Sequence, residues 1–298
     1  MVNFDKWSAN PELEVVEYFG SLSGSVLDVG CGDGRYANLF DDYTGIDPAP
    51  GAIKRAKEKD NKDFRVCPIE DFVPDRVYDH VITSVALGQI DVIPTKIKAW
   101  GKKLHMVESP EDKHDYRKLF NVVDEKALNC RVVIYHHINK FYSRGKWFDP
   151  EDFLEFSKLE LPDKPVILEL GTGSGRSSIA MRELWPDADI TTCDPIDKGI
   201  AQEGYKEMNI DVPASFINDF GFNLKWDRPL DFLFIDDDHE YKTVKRDIEK
   251  YKEFIKPGGY IVCHDYYETG VEQAVNELLP DAVPVKTGDY SQAKWRKK

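Results

Sequence analysis

No apolar run in the chain approaches the ~20 residues that a membrane-spanning helix needs, which excludes a helical membrane protein. Cysteine is scarce: the five residues at 31, 67, 130, 193 and 263 are odd in number and never spaced CxxC. That pattern argues against a disulfide framework and a zinc finger, and a reducing cytoplasm is the expected setting. The opening residues Met1 to Lys6 lack the charged-then-apolar layout of a signal peptide. Positive charge is also short, with 40 Lys and Arg against 54 Asp and Glu. The net charge of −14 disfavours broad binding to nucleic acid or anionic membranes. The one exception is 92–148, which sums to +6 between flanks of −8 and −12.

What is present is enough apolar material for real cores, 41% hydrophobic and 12% aromatic, over 298 residues. That length suggests two domains. Buried apolar runs at 25–29, 43–47, 63–67 and 78–85 alternate with helical stretches at 35–40 and 51–60, after a helix at 10–20 with Asn10 as its cap. This is a β-α-β pattern, hence a parallel sheet covered on both faces. Helices at 94–101 and 113–123 and strands at 104–108 and 131–136 would complete that unit. A connector with a helix at 150–158 follows.

The pattern then restarts. Strands are expected at 166–170, 189–193, 214–218, 230–235 and 260–264. Helices are expected through 184 and at 197–208, 241–255 and 270–279, with Pro257-Gly258-Gly259 as a helix stop. Aligning Gly30 with Gly171 gives an internal duplication offset by about 141 residues. The expected fold class is α/β, two tandem Rossmann-like doubly wound sheets, 1–148 and 149–298, the first diverged after its fourth strand.

The chemistry-bearing feature is a strand-to-helix turn that occurs twice, as Asp28-Val29-Gly30-Cys31-Gly32-Asp33-Gly34 and Glu169-Leu170-Gly171-Thr172-Gly173-Ser174-Gly175. Glycines there allow positive φ and close backbone approach to a ligand. Each second strand ends in an acid, Asp47 or Asp194, placed to accept hydrogen bonds from a ribose diol. A nicotinamide fingerprint would need a third glycine where Arg35 and Arg176 stand, and an upstream carboxylate repels a pyrophosphate but suits an ammonium. NAD is therefore rejected.

On these residues both halves resemble the class I S-adenosylmethionine-dependent methyltransferases. The resemblance implies S-adenosyl-L-methionine as cofactor, held by Asp28, Gly30, Gly32, Gly34, Asp47 and Glu70 in the first half. Glu70 enters because Pro68 occupies the place of the family's adenine-side acid. Glu169, Gly171, Gly173, Gly175, Asp194 and Asp219 would serve the second half. The segments Asp236-Asp237-Asp238-His239-Glu240-Tyr241 and Cys263-His264-Asp265-Tyr266 further resemble the metal-dependent small-molecule O-methyltransferase branch. That implies a metal on Asp236, His264 and Asp265. An oxygen set suits Mg²⁺, and the histidine shifts the preference toward Mn²⁺.

His239 and His264 are the candidate proton acceptors for a hydroxyl of a small molecule or sugar. Structural readings stand beside these. Asp238 can simply cap the helix at 241, His239 can be a helix-entry residue, His264 a satisfied core histidine, and the pair His136-His137 a strand feature. The basic stretch, with Lys96, Lys98, Lys102, Lys103, Lys140, Arg144 and Lys146 among Phe141, Tyr142 and Trp147, reads either as a nucleic-acid or phosphorylated-substrate surface or as a face docking against the acidic second domain. Two alternatives stay open: a cofactor sensor or scaffold with inactive sites, and a ribose 2′-O-methyltransferase. The sequence leaves a homo-oligomer open as well.

Overall fold

The computed structural model describes residues 9–84, 86–89, 95–108, 116, 120, 122–128, 131–137, 148–196, 199–208 and 215–298. Lys140, Phe141, Tyr142, Arg144, Lys146 and Trp147 of the basic stretch lie outside the described residues. Among the described lysines there, Lys96 donates to the Glu70 carbonyl at 2.5 Å and Lys102 pairs with Asp79 at 2.8 Å. The chain separates into two compact units, 1–139 and 140–298, so the boundary falls nine residues before the expected one.

The first unit opens with α1 (Ala9–Gly20), which begins one residue before the expected cap Asn10. Its strands are β1 (Val26–Val29), β2 (Tyr43–Asp47), β3 (Asp63–Val66), β4 (His80–Ser84), β5 (Lys103–Glu108), β6 (Val122–Leu128) and β7 (Arg131–His137), with α2 (Pro50–Lys59) between β2 and β3. They pair in the order β3-β2-β1-β4-β5-β7-β6, the first five parallel and β7 antiparallel to both neighbours. The expected divergence after the fourth strand falls in the connections rather than in the sheet. Where a long helix would link β4 to β5, the described residues make short 3-10 turns at Leu87–Gln89 and Thr95–Ala99. A 3-10 turn also replaces the helix expected at 35–40; of the helix expected at 113–123, all but residues 116, 120, 122 and 123 lies outside the described residues, and 122–123 belong to β6.

The second unit carries α3 (Pro150–Ser157), β8 (Val166–Leu170), α4 (Arg176–Leu184), β9 (Asp189–Cys193), α5 (Gly199–Met208), β10 (Ser215–Ile217), β11 (Leu230–Ile235), α6 (Tyr241–Tyr251), β12 (Ile255–His264), α7 (Thr269–Leu278), β13 (Val283–Thr287) and β14 (Tyr290–Arg296). Its sheet order, β10-β9-β8-β11-β12-β14-β13, repeats that of the first unit. β11 (Leu-Asp-Phe-Leu-Phe-Ile) is buried along its whole length, as a central parallel strand covered on both faces must be. Pro257-Gly258-Gly259 is not a helix stop. The helix ends at Tyr251, and these residues form an irregularity inside β12, where pairing shifts from Leu230↔Ile255 to Phe232↔Tyr260. In both sheets the order reverses between the first and fourth strands (β1/β4 and β8/β11), which opens a crevice at their C-terminal ends.

Candidate functional site

Both glycine turns sit at those crevices with one shared backbone conformation: φ +77, +56 and +76 at Gly30, Gly32 and Gly34, and +91, +51 and +80 at Gly171, Gly173 and Gly175. The second-strand acids grip these turns. Asp47 Oδ2 accepts the Gly32 N–H at 2.9 Å, and Asp194 Oδ2 accepts those of Thr172 and Gly173 at 3.0 and 3.1 Å. Each acid thus stiffens the turn, and Asp194 also lines a cavity of about 330 Å³ in the second unit. That cavity runs from Gly171 and Gly173 past Asp194 to Asp236, His239 and Asp265. Two apolar side chains exposed beside it, Ile196 at 67% and Phe220 at 43%, were not singled out in the sequence. Phe220 stacks on Phe222 at 5.1 Å. In the first unit the cavity described, lined by Ser25, Arg76 and Asp79, lies at the opposite ends of the strands from Gly30.

The upstream acids do not reach the cavity, contrary to expectation. Glu169 is fully buried beneath the turn, where Ser177 and Ser178 of α4 donate to its two oxygens. Burial pushes its carboxyl up to about 8 against the pull of those hydroxyls. Asp28 is likewise buried, accepts Tyr43 Oη at 2.7 Å and is pushed by burial up to about 7. Both acids tie turn to core. Glu70 is exposed on its turn. Asp219 lies outside the cavity lining, its Oδ1 capping the Gly221–Asn223 turn through Phe220 N at 2.7 Å and Asn223 Nδ2 at 2.8 Å.

A testable consequence concerns pH. A folded-state carboxyl raised above its ordinary 4.5 favours folding only while the proton stays on. Stability therefore declines as pH rises from about 4.5 toward about 8, by up to ~1.4 kcal/mol per unit. Glu169→Gln is expected to melt above wild type at pH 9 and to show a flatter pH profile. Melting curves at pH 6 and 9 that shift in parallel for both proteins would remove the neutral buried acid from the account.

At the other end of the cavity, Asp236 after β11, His239 before α6 and Asp265 after β12 bring one donor atom each within 4.8 Å of one another. His239 Nε2 is 3.4 Å from both Asp236 Oδ1 and Asp265 Oδ2. Left-handed backbone is costly outside glycine, yet His239 (φ +59) and Asp265 (φ +50) both adopt it, alone among the described non-glycine residues. The strain thus falls on two members of one cluster. Burial alone would raise the Asp236 carboxyl, but the charge of His264 and the His239 ring hold it well below the usual carboxylate range. Asp236, ahead of burial, raises His239 above its ordinary 6.5. Asp238 accepts Glu240 N at 3.0 Å and Thr243 Oγ1 at 2.9 Å, but the N-cap of α6 is Glu240 and no side chain caps its first backbone N–H groups, so Asp238 is not the helix cap that the structural reading of that run expected.

His264 corrects one expectation. It is 1% exposed and outside the cavity lining, so it cannot touch an acceptor and is no proton-accepting base. Its Nδ1 does face the cluster from below, 3.3 Å from both Asp236 Oδ1 and Asp265 Oδ2. Neither ring nitrogen makes a hydrogen bond of ordinary geometry. Burial opposes its charge, but Asp236, Asp152 and Asp265 raise it well above 6.5. The two carboxylate oxygens and the His239 nitrogen form a donor set that fits a divalent cation, and the His264 Nδ1 stands beside the same two oxygens. The 3.3–3.4 Å edges compare with about 3 Å between neighbouring ligands at ~2.1 Å from an ion. The buried, orphaned Nδ1 is the atom such an ion would satisfy.

Among the described residues, the first unit does not repeat this set. Asp28 pairs with Ile82 as Glu169 pairs with Phe234, so Ser84 stands in the place of Asp236. Ser84 pairs with Val107, which puts Val107 and Glu108 in the places of His264 and Asp265.

Comparison with known proteins follows the same division. A family model described as a methyltransferase domain matches residues 168–266, and a second of that description matches 27–104. An uncharacterised protein of Acanthamoeba polyphaga mimivirus is 39% identical over 70 residues, 22% of this chain and 30% of that protein, so the match spans less than a third of the relative. Among solved structures, a SAM-dependent O-methyltransferase from Thermotoga maritima is 12% identical (59% of this chain, 78% of that one, TM-score 0.47). A 16S rRNA methyltransferase from T. thermophilus, in complex with AdoMet and guanosine, is 13% identical (96% and 92%, TM-score 0.41).

Proposed function

We propose that this chain, which belongs to the class I S-adenosylmethionine-dependent methyltransferases and carries two such domains in tandem, methylates a hydroxyl of a small molecule or sugar through its second domain. The observation that carries this reading is continuity: one cavity joins the glycine turn to the Asp236–His239–Asp265 cluster. The cofactor's methionine end would lie against Gly171 and Gly173, its ribose on Asp194, and its adenine between Ile196 and Phe220. That orientation directs the sulfonium toward the cluster. The methyl's S–C bond breaks as the O–C bond forms, the demethylated thioether is the leaving group, and the hydroxyl proton passes to solvent water or to His239 Nε2.

Asp236, Asp265, His239 and, from below, His264 would hold a divalent metal, Mg²⁺ or Mn²⁺. When bound, such an ion stabilises the acceptor's oxyanion. The chain's own contribution is to fix donors and cofactor on rigid strand ends and to place the acceptor oxygen beside the sulfonium. A second reading has a specific support, the lift that Asp236 gives His239: without metal, His239 Nε2 would take the hydroxyl proton. The first domain keeps the glycine turn and Asp47, and we assign it a second cofactor-binding role without the metal donors. A scaffold role and ribose 2′-O-methylation remain the competing assignments. A cytoplasmic setting belongs to the same proposal, supported by the free thiols of Cys31, Cys67, Cys193 and Cys263. No helix among the described residues is long and apolar enough to cross a membrane.

The test is methyl transfer from labelled cofactor to catechol or a methyl hexoside, with and without EDTA. Chelation is expected to lower the rate at least about tenfold, with recovery on adding Mn²⁺. Transfer indifferent to EDTA would leave the His239 base as the working mechanism.

A further inference from the structure

Asp152 lies in α3, ahead of the first strand of the second sheet and outside the cavity lining, yet its carboxylate is fully buried. Part of its role is local: Asp152 Oδ2 accepts the Asp149 N–H at 2.8 Å and closes the capping box of α3. A cap needs no burial, and Asp152 has further partners. Gln292 of β14, itself buried, donates Nε2 to Asp152 Oδ1 at 2.8 Å. Asp152 Oδ2 also stands 3.2 Å from His264 Nε2, while the opposite nitrogen of that ring faces Asp236 and Asp265. The His264 ring is walled by Phe148 at 6.2 Å, near-parallel, by Phe234 edge-on at 5.9 Å and by Tyr290 at 5.4 Å.

We propose that Asp152 is a positioning residue of the metal centre, fixing His264 through Nε2 so that Nδ1 is aimed at the Asp236 and Asp265 oxygens. The physical reason is the two-nitrogen character of imidazole. A carboxylate charge beside Nε2 favours the proton on that nitrogen, leaves the Nδ1 lone pair for a cation and restrains the ring. α3 precedes the doubly wound core, so it supplies an outer support that the strand ends alone lack. The inference rests on the metal reading proposed above.

The experiment titrates the full-length chain with Mn²⁺, following free Mn²⁺ by electron paramagnetic resonance, for wild type and Asp152→Asn. Asparagine keeps an oxygen for the α3 cap and removes the charge facing His264. Mn²⁺ affinity is expected to fall about 10–100-fold, with S-adenosylmethionine affinity unchanged within about twofold. Should the variant fail to fold, Gln292→Leu unhooks the same carboxylate from its other side and is expected to weaken Mn²⁺ several-fold. A folded Asp152→Asn chain that holds Mn²⁺ as tightly as wild type overturns the positioning role and leaves the metal reading intact. Wild-type protein that retains no Mn²⁺ overturns both, and is seen before any variant is made.

Discussion

Replacing Gly173 with valine is expected to remove one of two S-adenosylmethionine equivalents from the chain, and Gly32→Val the other. Both glycines are left-handed, at φ +51 and +56, and an added Cβ at either meets no protein atom within 4 Å. A side chain at Gly173 therefore projects into the cavity, where the proposed methionine moiety lies. A loss of at least about 100-fold, ~2.8 kcal/mol, is expected from that steric block. The cost to the fold is a left-handed branched residue, roughly 1–2 kcal/mol or somewhat more. Gly171 makes the contrast, since a Cβ there would lie 1.8 Å from the Asp236 carbonyl oxygen. Gly171→Ala is thus expected to fail first in melting temperature, and Gly173→Val first in calorimetric stoichiometry. Wild-type stoichiometry and affinity in a folded Gly173→Val protein would show that the turn does not hold the cofactor.

The duplicated turn and the central strands were legible because fully buried parallel strands read as continuous apolar runs and glycine marks the bends between them. Of the outer antiparallel strands only β7, expected at 131–136, was legible. β13 (Val-Pro-Val-Lys-Thr) has a proline and is largely exposed, as edge strands often are, and β14 buries Ser291 and Gln292 rather than an alternating apolar face. Acids were found in the right places but not always in the right roles. Glu169 and Asp28 precede glycines in a way that suggests ligand contact, whereas the strands turn their side chains inward, beneath the turn. Which of two nearby histidines faces solvent was equally hidden. The positive φ of His239 swings its ring over the cavity, while His264, on the last residue of β12, points into the aromatic wall. Only the tertiary fold brings Asp152 there, from 112 positions earlier in the chain.

Asp236→Asn is expected to lower methyl transfer by about 10²–10³-fold while leaving cofactor affinity nearly unchanged, because its carboxylate faces the donor cluster rather than the glycine turn. The effect should fall on kcat more than on KM for the cofactor, and excess Mn²⁺ should restore part of the rate if a metal is the lost partner. The same variant separates the two mechanisms proposed for the second domain. If His239 is instead the base, removing the carboxylate that raises it returns its pKa toward 6.5. The acid limb of the pH–rate profile then moves to lower pH, since the imidazole stays neutral further into acid. Under the metal reading, that limb responds to Mn²⁺ concentration. Full activity in a folded Asp236→Asn chain would count against both mechanisms, because each relies on this carboxylate.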